Sequence, residues 1–270
     1  TDVLMVVHPR GLTVAAQQRI DAFVQGGGRL LVLLDPLCIS EPDPAGSVPG
    51  MVVKVGSDFS PFPEQWGVGF DRGKVVADPA ASSKLRVAGA RIEDSMVWLT
   101  LGPSAVKMDV LSDVQALMFP FAGSFSSLDG QAGGVTSMIE SSASAGTVDV
   151  MAAQFGAQAV ASNAKLGQGP ERLAVALLGP FRALDGTTGE ASDRARVVLV
   201  GDADFLNPQF CASEKNVMGY KFYEPINDNL RFLDRLVSWL VCPEQLLSFQ
   251  RAGIFDDYLA YLQNMRAVQS

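Results

Sequence analysis

The sequence predicts an α/β fold built on a parallel sheet, and three stretches carry that expectation. Val3-Leu4-Met5-Val6-Val7 and Leu30-Leu31-Val32-Leu33-Leu34 are apolar without alternation, the pattern of strands covered on both faces of a parallel sheet. Val197-Val198-Leu199-Val200-Gly201 repeats the pattern late in the chain. Between the first two, Ile20, Phe23 and Val24 are three and four residues apart and share one helical face. Strand, helix and strand make a βαβ unit with a right-handed crossover.

Taken in order, each element has a local cause. Thr13 is placed to cap the first helix, and Gly26 to close it in the left-handed conformation that costs glycine nothing. Pro36 cannot donate to a ladder, so the second strand stops at Asp35. A loop rich in Pro, Gly and Ser follows from Ser40 to Ser60, long enough to expect a contact role. Pro63 to Val68 reads as a short helix ended by Gly67, and Lys74 to Asp78 as a brief strand that again ends in Asp-Pro.

Beyond residue 91 the texture changes. Candidate strands Met96–Leu101, Ala116–Phe121 and Arg172–Leu178 lie among Gly, Ser and Ala, and regular amphipathic helices are scarce. Arg182 to Arg194, with Gly186 and Gly189, reads as a flexible loop. Asn227 or Asp228 is then placed to cap a helix whose Leu230, Leu233, Leu236, Val237 and Leu240 form one apolar stripe. This arrangement predicts a discontinuous α/β domain from residues 1–90 and 195–245, with 91–194 as a β-rich insertion or subdomain. Residues 246–270 form a helical tail carrying Phe255, Tyr258, Leu259 and Leu262 at helical spacing. Trp66, Trp98 and Trp239 are expected in the core.

A net charge of −8 and no Lys/Arg cluster exclude the basic stripe that a nucleic-acid partner needs. No apolar run approaches the roughly 18 residues of a membrane-spanning helix. No signal peptide is visible and the chain opens on Thr rather than Met, which leaves open that both ends were cut from something longer, with membrane segments outside this piece. Cys38, Cys211 and Cys242 are far apart and make no metal-ligand pattern, which leaves one disulfide or none open.

The chemistry-bearing residues are few. A nucleophilic triad would have to use the single histidine, His8, yet no nucleophile elbow follows any strand and Asp35-Pro36 occupies the turn before Cys38. A hydrolase or amidotransferase built on His8 or Cys38 is therefore the least favoured reading. Gly26-Gly27-Gly28 precedes a strand instead of opening a helix, so it is not a phosphate cradle. Asp35, Asp202 and Asp204 fall at or just past the C-terminal ends of the expected parallel strands, the edge where open α/β sheets bind ligands. Asn207 follows in the same turn and joins them as a candidate binding residue. Such carboxylates suit Mg²⁺ or Ca²⁺, but Asp at a strand end is also a turn former or cap. That structural role is the expected one, with no metal and no cofactor assigned.

Laid end to end, these segments resemble the auxiliary proteins of ABC transporters, typified by the gliding-motility GldG-type proteins. The matching pieces are Asp2-Val3-Leu4-Met5-Val6-Val7-His8-Pro9, Ile20-Asp21-Ala22-Phe23-Val24 running into Gly27-Gly28-Arg29 and the strand to Asp35-Pro36, Trp66-Gly67-Val68 with Lys74-Val75-Val76-Ala77-Asp78, Val198-Leu199-Val200-Gly201-Asp202-Ala203-Asp204-Phe205, and Asn229-Leu230-Arg231-Phe232-Leu233 with Ser238-Trp239-Leu240. The resemblance implies a flavodoxin-like sheet, similar to class I glutamine amidotransferases but without their catalytic residues. It also implies a non-enzymatic, periplasmic or extracytoplasmic domain of a membrane-anchored protein. Its partners would be the permease and ATPase subunits of an ABC transporter, with cargo unspecified and an oligomer left open. The alternative is a carbohydrate- or cell-wall-binding module that uses the acidic sheet edge.

Overall fold

The computed structural model describes residues 3–40, 56–86, 92–128, 134–217 and 220–241. The centre of the proline-rich loop, Cys242 and the expected helical tail lie outside them.

The chain begins with β1 (Val3–Val7), α1 (Val14–Gln25) and β2 (Arg29–Leu33). The α1 cap is the expected one, with the Ala16 N–H donating to Thr13 Oγ1 at 3.2 Å. Its end differs by one residue. Gly26 stays near helical geometry at φ −78°, and Gly27 takes the left-handed turn at φ +83°. A Cβ on Gly28 would strike the Phe23 ring, so strand and helix close tightly at this corner.

There follow α2 (Phe62–Gln65), β3 (Val68–Phe70), β4 (Lys74–Ala77), β5 (Ser82–Arg86), β6 (Ile92–Leu101), β7 (Leu117–Pro120), β8 (Phe125–Ser127), β9 (Val135–Glu140) and β10 (Gly146–Asp149). Short helices α3 (Val150–Ala153) and α4 (Ala157–Asn163) lead to β11 (Arg172–Leu178) and β12 (Arg196–Val200). The chain then makes α5 (Pro208–Cys211), the hairpin strands β13 (Ala212–Val217) and β14 (Tyr220–Pro225), and α6 (Asn229–Val241).

The expected parallel sheet is in fact mixed. β1, β2 and β12 are parallel neighbours, with Val3 and Arg196 both in register with Arg29. β11 then lies antiparallel to β12, Ala174 opposite Val200 and Leu178 opposite Arg196. β9 and β8 pair antiparallel with β11, and β3 with β8. The reason lies in the connection. A parallel neighbour needs a long crossover, usually helical. Residues 179–195 offer only a 3₁₀ turn, Ser192–Arg194, so the chain folds straight back. Strand β11, which the sequence reading placed in the β-rich middle, thus belongs to the main sheet. Of the remaining strands, β5, β6 and β7 form an antiparallel sheet, β4 pairs with β10, and β13 pairs with β14.

The unbroken apolar runs are explained by cover on both faces. Leu31, Leu33, Val198 and Val200 join one core cluster with Phe119, Phe205, Phe232, Leu236 and Trp239. Leu30, Val32, Leu34, Val197 and Leu199 point to the other side, toward Ile20, Val24, Phe62, Trp66 and Phe181. β1 departs from the pattern: Met5 and Val7 are 39% and 50% exposed, because β1 ends the sheet and is only partly covered.

α6 packs on the sheet through a stripe rotated from the expected one. Asn229, Phe232, Leu236, Trp239 and Leu240 are buried, Leu233 and Val237 half-buried, and Leu230 exposed. The rotation is set at its first turn, where Asn229 binds the backbone of Met118 and Phe205. At the other end, Arg196 donates to the Trp239 carbonyl at 2.8 Å and lies over its ring. Trp66 and Trp239 are buried, and Trp98 packs edge-on against Phe121 and Phe210.

Candidate functional site

Three of the four residues singled out by sequence, Asp35, Asp202 and Asp204, meet around the ends of β2 and β12. Asp35, Asp202 and Asp204 are all fully buried there. Each carboxylate is tied to backbone. Asp35 accepts from the Leu37 N–H at 2.8 Å and, across the two strands, from the Ala203 N–H at 3.0 Å. Asp202 Oδ1 accepts from the Phe205 N–H at 2.7 Å, which forms the 3₁₀ turn Asp204–Leu206. Asp204 accepts from the N–H groups of Ile39 and Ser40 at 2.7 and 2.9 Å and from the Cys38 thiol at 3.3 Å. Asn207 is half-buried and works locally: its side chain caps α5 through the Gln209 N–H at 2.9 Å.

Reciprocal ties thus join the turn after β2 to the turn after β12. Asp35 reaches Ala203, and Asp204 reaches back to residues 38–40. His8 belongs to the same edge. It adopts φ +43° at the end of β1, and its Nδ1 lies 2.8 Å from Ser57 Oγ. That hydroxyl accepts from the Asp35 N–H at 2.8 Å, so His8 and Ser57 help hold the turn.

Burial dominates the electrostatics. It pushes the Asp35 carboxyl well above the usual carboxylate range, with the Asp204 charge adding to the effect. Asp202 is raised first by burial and then by Asp35 and Asp204. Among the described residues its Oδ2 is buried with no hydrogen-bond partner. Asp35, Cys38 and Asp204 place three donor atoms within 4.8 Å of one another. Two carboxylates and a thiol are not the all-oxygen set that Mg²⁺ or Ca²⁺ prefers. Backbone N–H groups already occupy these oxygens.

The linkage has a definite sign. Between the unfolded carboxylate value, about 4, and the higher folded values, the native state holds more protons than the unfolded chain. Stability contributed by Asp35 and Asp202 is therefore present at low pH and falls as pH rises through that window. Asp202→Asn keeps the acceptor for Phe205 and removes one of these protons. The variant should lose less stability than the parent as pH rises above the unfolded carboxylate value, read as urea midpoints. Equal pH slopes in the two proteins would contradict a protonated Asp202.

Sequence reasoning missed a fourth buried carboxylate, also tied to backbone. Asp78, at the other Asp-Pro, accepts from the Ala80 N–H, the Ser142 N–H and the Ser142 hydroxyl at 2.9, 2.7 and 2.7 Å. Its Pro79 was the visible signal, but its partner Ser142 is 64 residues away and carries none.

Fold and site together define a mixed-sheet α/β domain whose strand-end carboxylates are hydrogen-bonded to its own backbone. The family model described as "ABC-type uncharacterized transport system" matches residues 1–233. The chain belongs to this family, the auxiliary proteins of ABC transport systems. No curated protein matches. A solved structure described as "mmIFT52 N-terminal domain" is similar at 12% identity and a TM-score of 0.46, covering 90% of this chain and 78% of its own.

Proposed function

We propose that this chain is a non-enzymatic, extracytoplasmic domain of an ABC transport system, acting by contact with the permease and ATPase assembly or its cargo. The observation that carries the reading is the family match over residues 1–233. The site chemistry supports it. Cys38 and His8, the nucleophile and base that an acyl-transfer enzyme would need, are engaged with Asp204 and Ser57, and both are buried. Among the described residues no helix is long and apolar enough to cross a membrane.

The test is affinity purification of the full-length protein from membranes in mild detergent, followed by mass spectrometry. Stoichiometric recovery of an ABC permease and ATPase is the expected result. Recovery of neither, from protein shown to be folded, would count against the proposal.

A further inference from the structure

The β13–β14 hairpin stands apart from the other sheets. Six residues of each strand pair with one another, Ala212 opposite Pro225 through Val217 opposite Tyr220, and with no other described strand. At about 3.4 Å per residue the ladder is roughly 20 Å long. Its second strand carries three aromatic side chains in contact with water: Tyr220, Phe222 and Tyr223 are 72%, 54% and 62% exposed. Three such rings in four residues are a concentration that a soluble surface rarely leaves uncovered.

Two features indicate what covers them. First, the rings project from both faces. Tyr220 and Phe222 share one side of the ladder, while Tyr223 lies on the other, since strand side chains alternate. A flat protein partner would dry one face and leave the other wet. A medium that surrounds the hairpin covers both. Second, the charges pair internally. Lys215 pairs with Glu224, and Lys221 with Glu214 at 2.8 Å, with the Tyr223 hydroxyl donating to Glu214 at 3.2 Å. The hairpin's ion pairs are thus neutral in a chain of net charge −8, so an anionic surface that repels the body does not repel this element. Tyr220 and Tyr223, with Lys221 between them, suit the headgroup boundary of a bilayer, where an apolar ring and a polar tip are both satisfied, and Phe222 adds apolar area.

We propose that the β13–β14 hairpin is a membrane-interface contact whose occupant is the headgroup layer of a lipid bilayer. It goes beyond the transport-system reading and is tested without it, because vesicles contain no permease. Vesicles of phosphatidylcholine, alone and mixed with phosphatidylglycerol, are titrated into the protein, and the bound fraction is measured by flotation. Binding to both compositions is expected, with weak salt dependence. The triple variant Tyr220→Ser/Phe222→Ser/Tyr223→Ser should lower partitioning by on the order of tenfold or more with unchanged circular dichroism. A second variant, Phe222→Trp, reports insertion as its difference from the parent, in which only Trp66, Trp98 and Trp239 emit: the added emission should shift to the blue with vesicles and be quenched by brominated lipid.

Binding only to anionic vesicles and abolished by salt would overturn the proposal, as would no binding. An unshifted Phe222→Trp minus parent difference spectrum in the bound state would do the same. So would a concentration-dependent dimer that the triple variant loses, since the rings would then cover a second copy of this chain.

Discussion

Replacing Asn229 with alanine should destabilise the protein by about 3 kcal/mol, a large effect for a single polar side chain. Asn229 is fully buried at the first turn of α6 and makes three bonds. Its Oδ1 accepts from the Met118 N–H at 2.9 Å, and its Nδ2 donates to the carbonyls of Met118 and Phe205 at 3.0 and 2.7 Å. One side chain therefore joins α6, β7 and the turn after β12. Beside it, Asp228 accepts from the N–H groups of Gln115 and Ala116 at 2.8 and 3.0 Å, so the helix start is docked both on β7 and on the two residues before it. Alanine leaves a buried N–H and two carbonyls without partners. Leucine fills the volume but leaves the same groups stranded, so it should not rescue. Urea denaturation checks both variants through a lower midpoint. A change under about 1 kcal/mol would mean that water replaces the amide and the helix is not held by this residue.

The second large effect is expected at Asp204→Ala, again about 3 kcal/mol. Its carboxylate accepts from Ile39, Ser40 and Cys38, bonds of the stronger kind that involve a charged group. Part of the loss is offset, because removing Asp204 also removes a charge that acts on Asp35 and Asp202. Asp204→Asn retains a carbonyl oxygen and should lose roughly half as much. A second measurement separates local from global damage. Cys38 is 4% exposed, and its thiol is held by Asp204, so the alanine variant should react with a thiol reagent at Cys38 under native conditions. Mass spectrometry of the labelled peptide identifies the site. Native stability together with an unreactive Cys38 would show that the turn after β2 is held by other contacts.

Both predictions concern the joints between segments, not the segments themselves, and this marks how much could be read without coordinates. β1, α1, β2, β11 and β12 follow from local rules: unbroken apolar runs, a Thr cap, glycine at a helix end and proline after a strand. The strand-end position of Asp35, Asp202 and Asp204 was legible for the same reason. Gly27 in place of Gly26 as the turning residue is a shift of one position that local rules do not resolve, because both are glycine.

The tertiary structure alone decided strand direction, helix rotation and the partners of the buried polar groups. Arg172–Leu178 reads equally well as a strand of either sense, and its antiparallel place beside β12 depends on how residues 179–195 close. The α6 stripe turned because Asn229, a polar residue that an apolar pattern ignores, is buried by bonds to Met118 and Phe205. Asp204 meets Ile39 across 165 residues, and Asp78 meets Ser142 across 64. Periodicity reports which side of an element avoids water, since that depends on neighbours within a turn or two. It holds no information on which distant N–H a carboxylate will accept, because that bond forms only after the sheet has brought the two chain ends together.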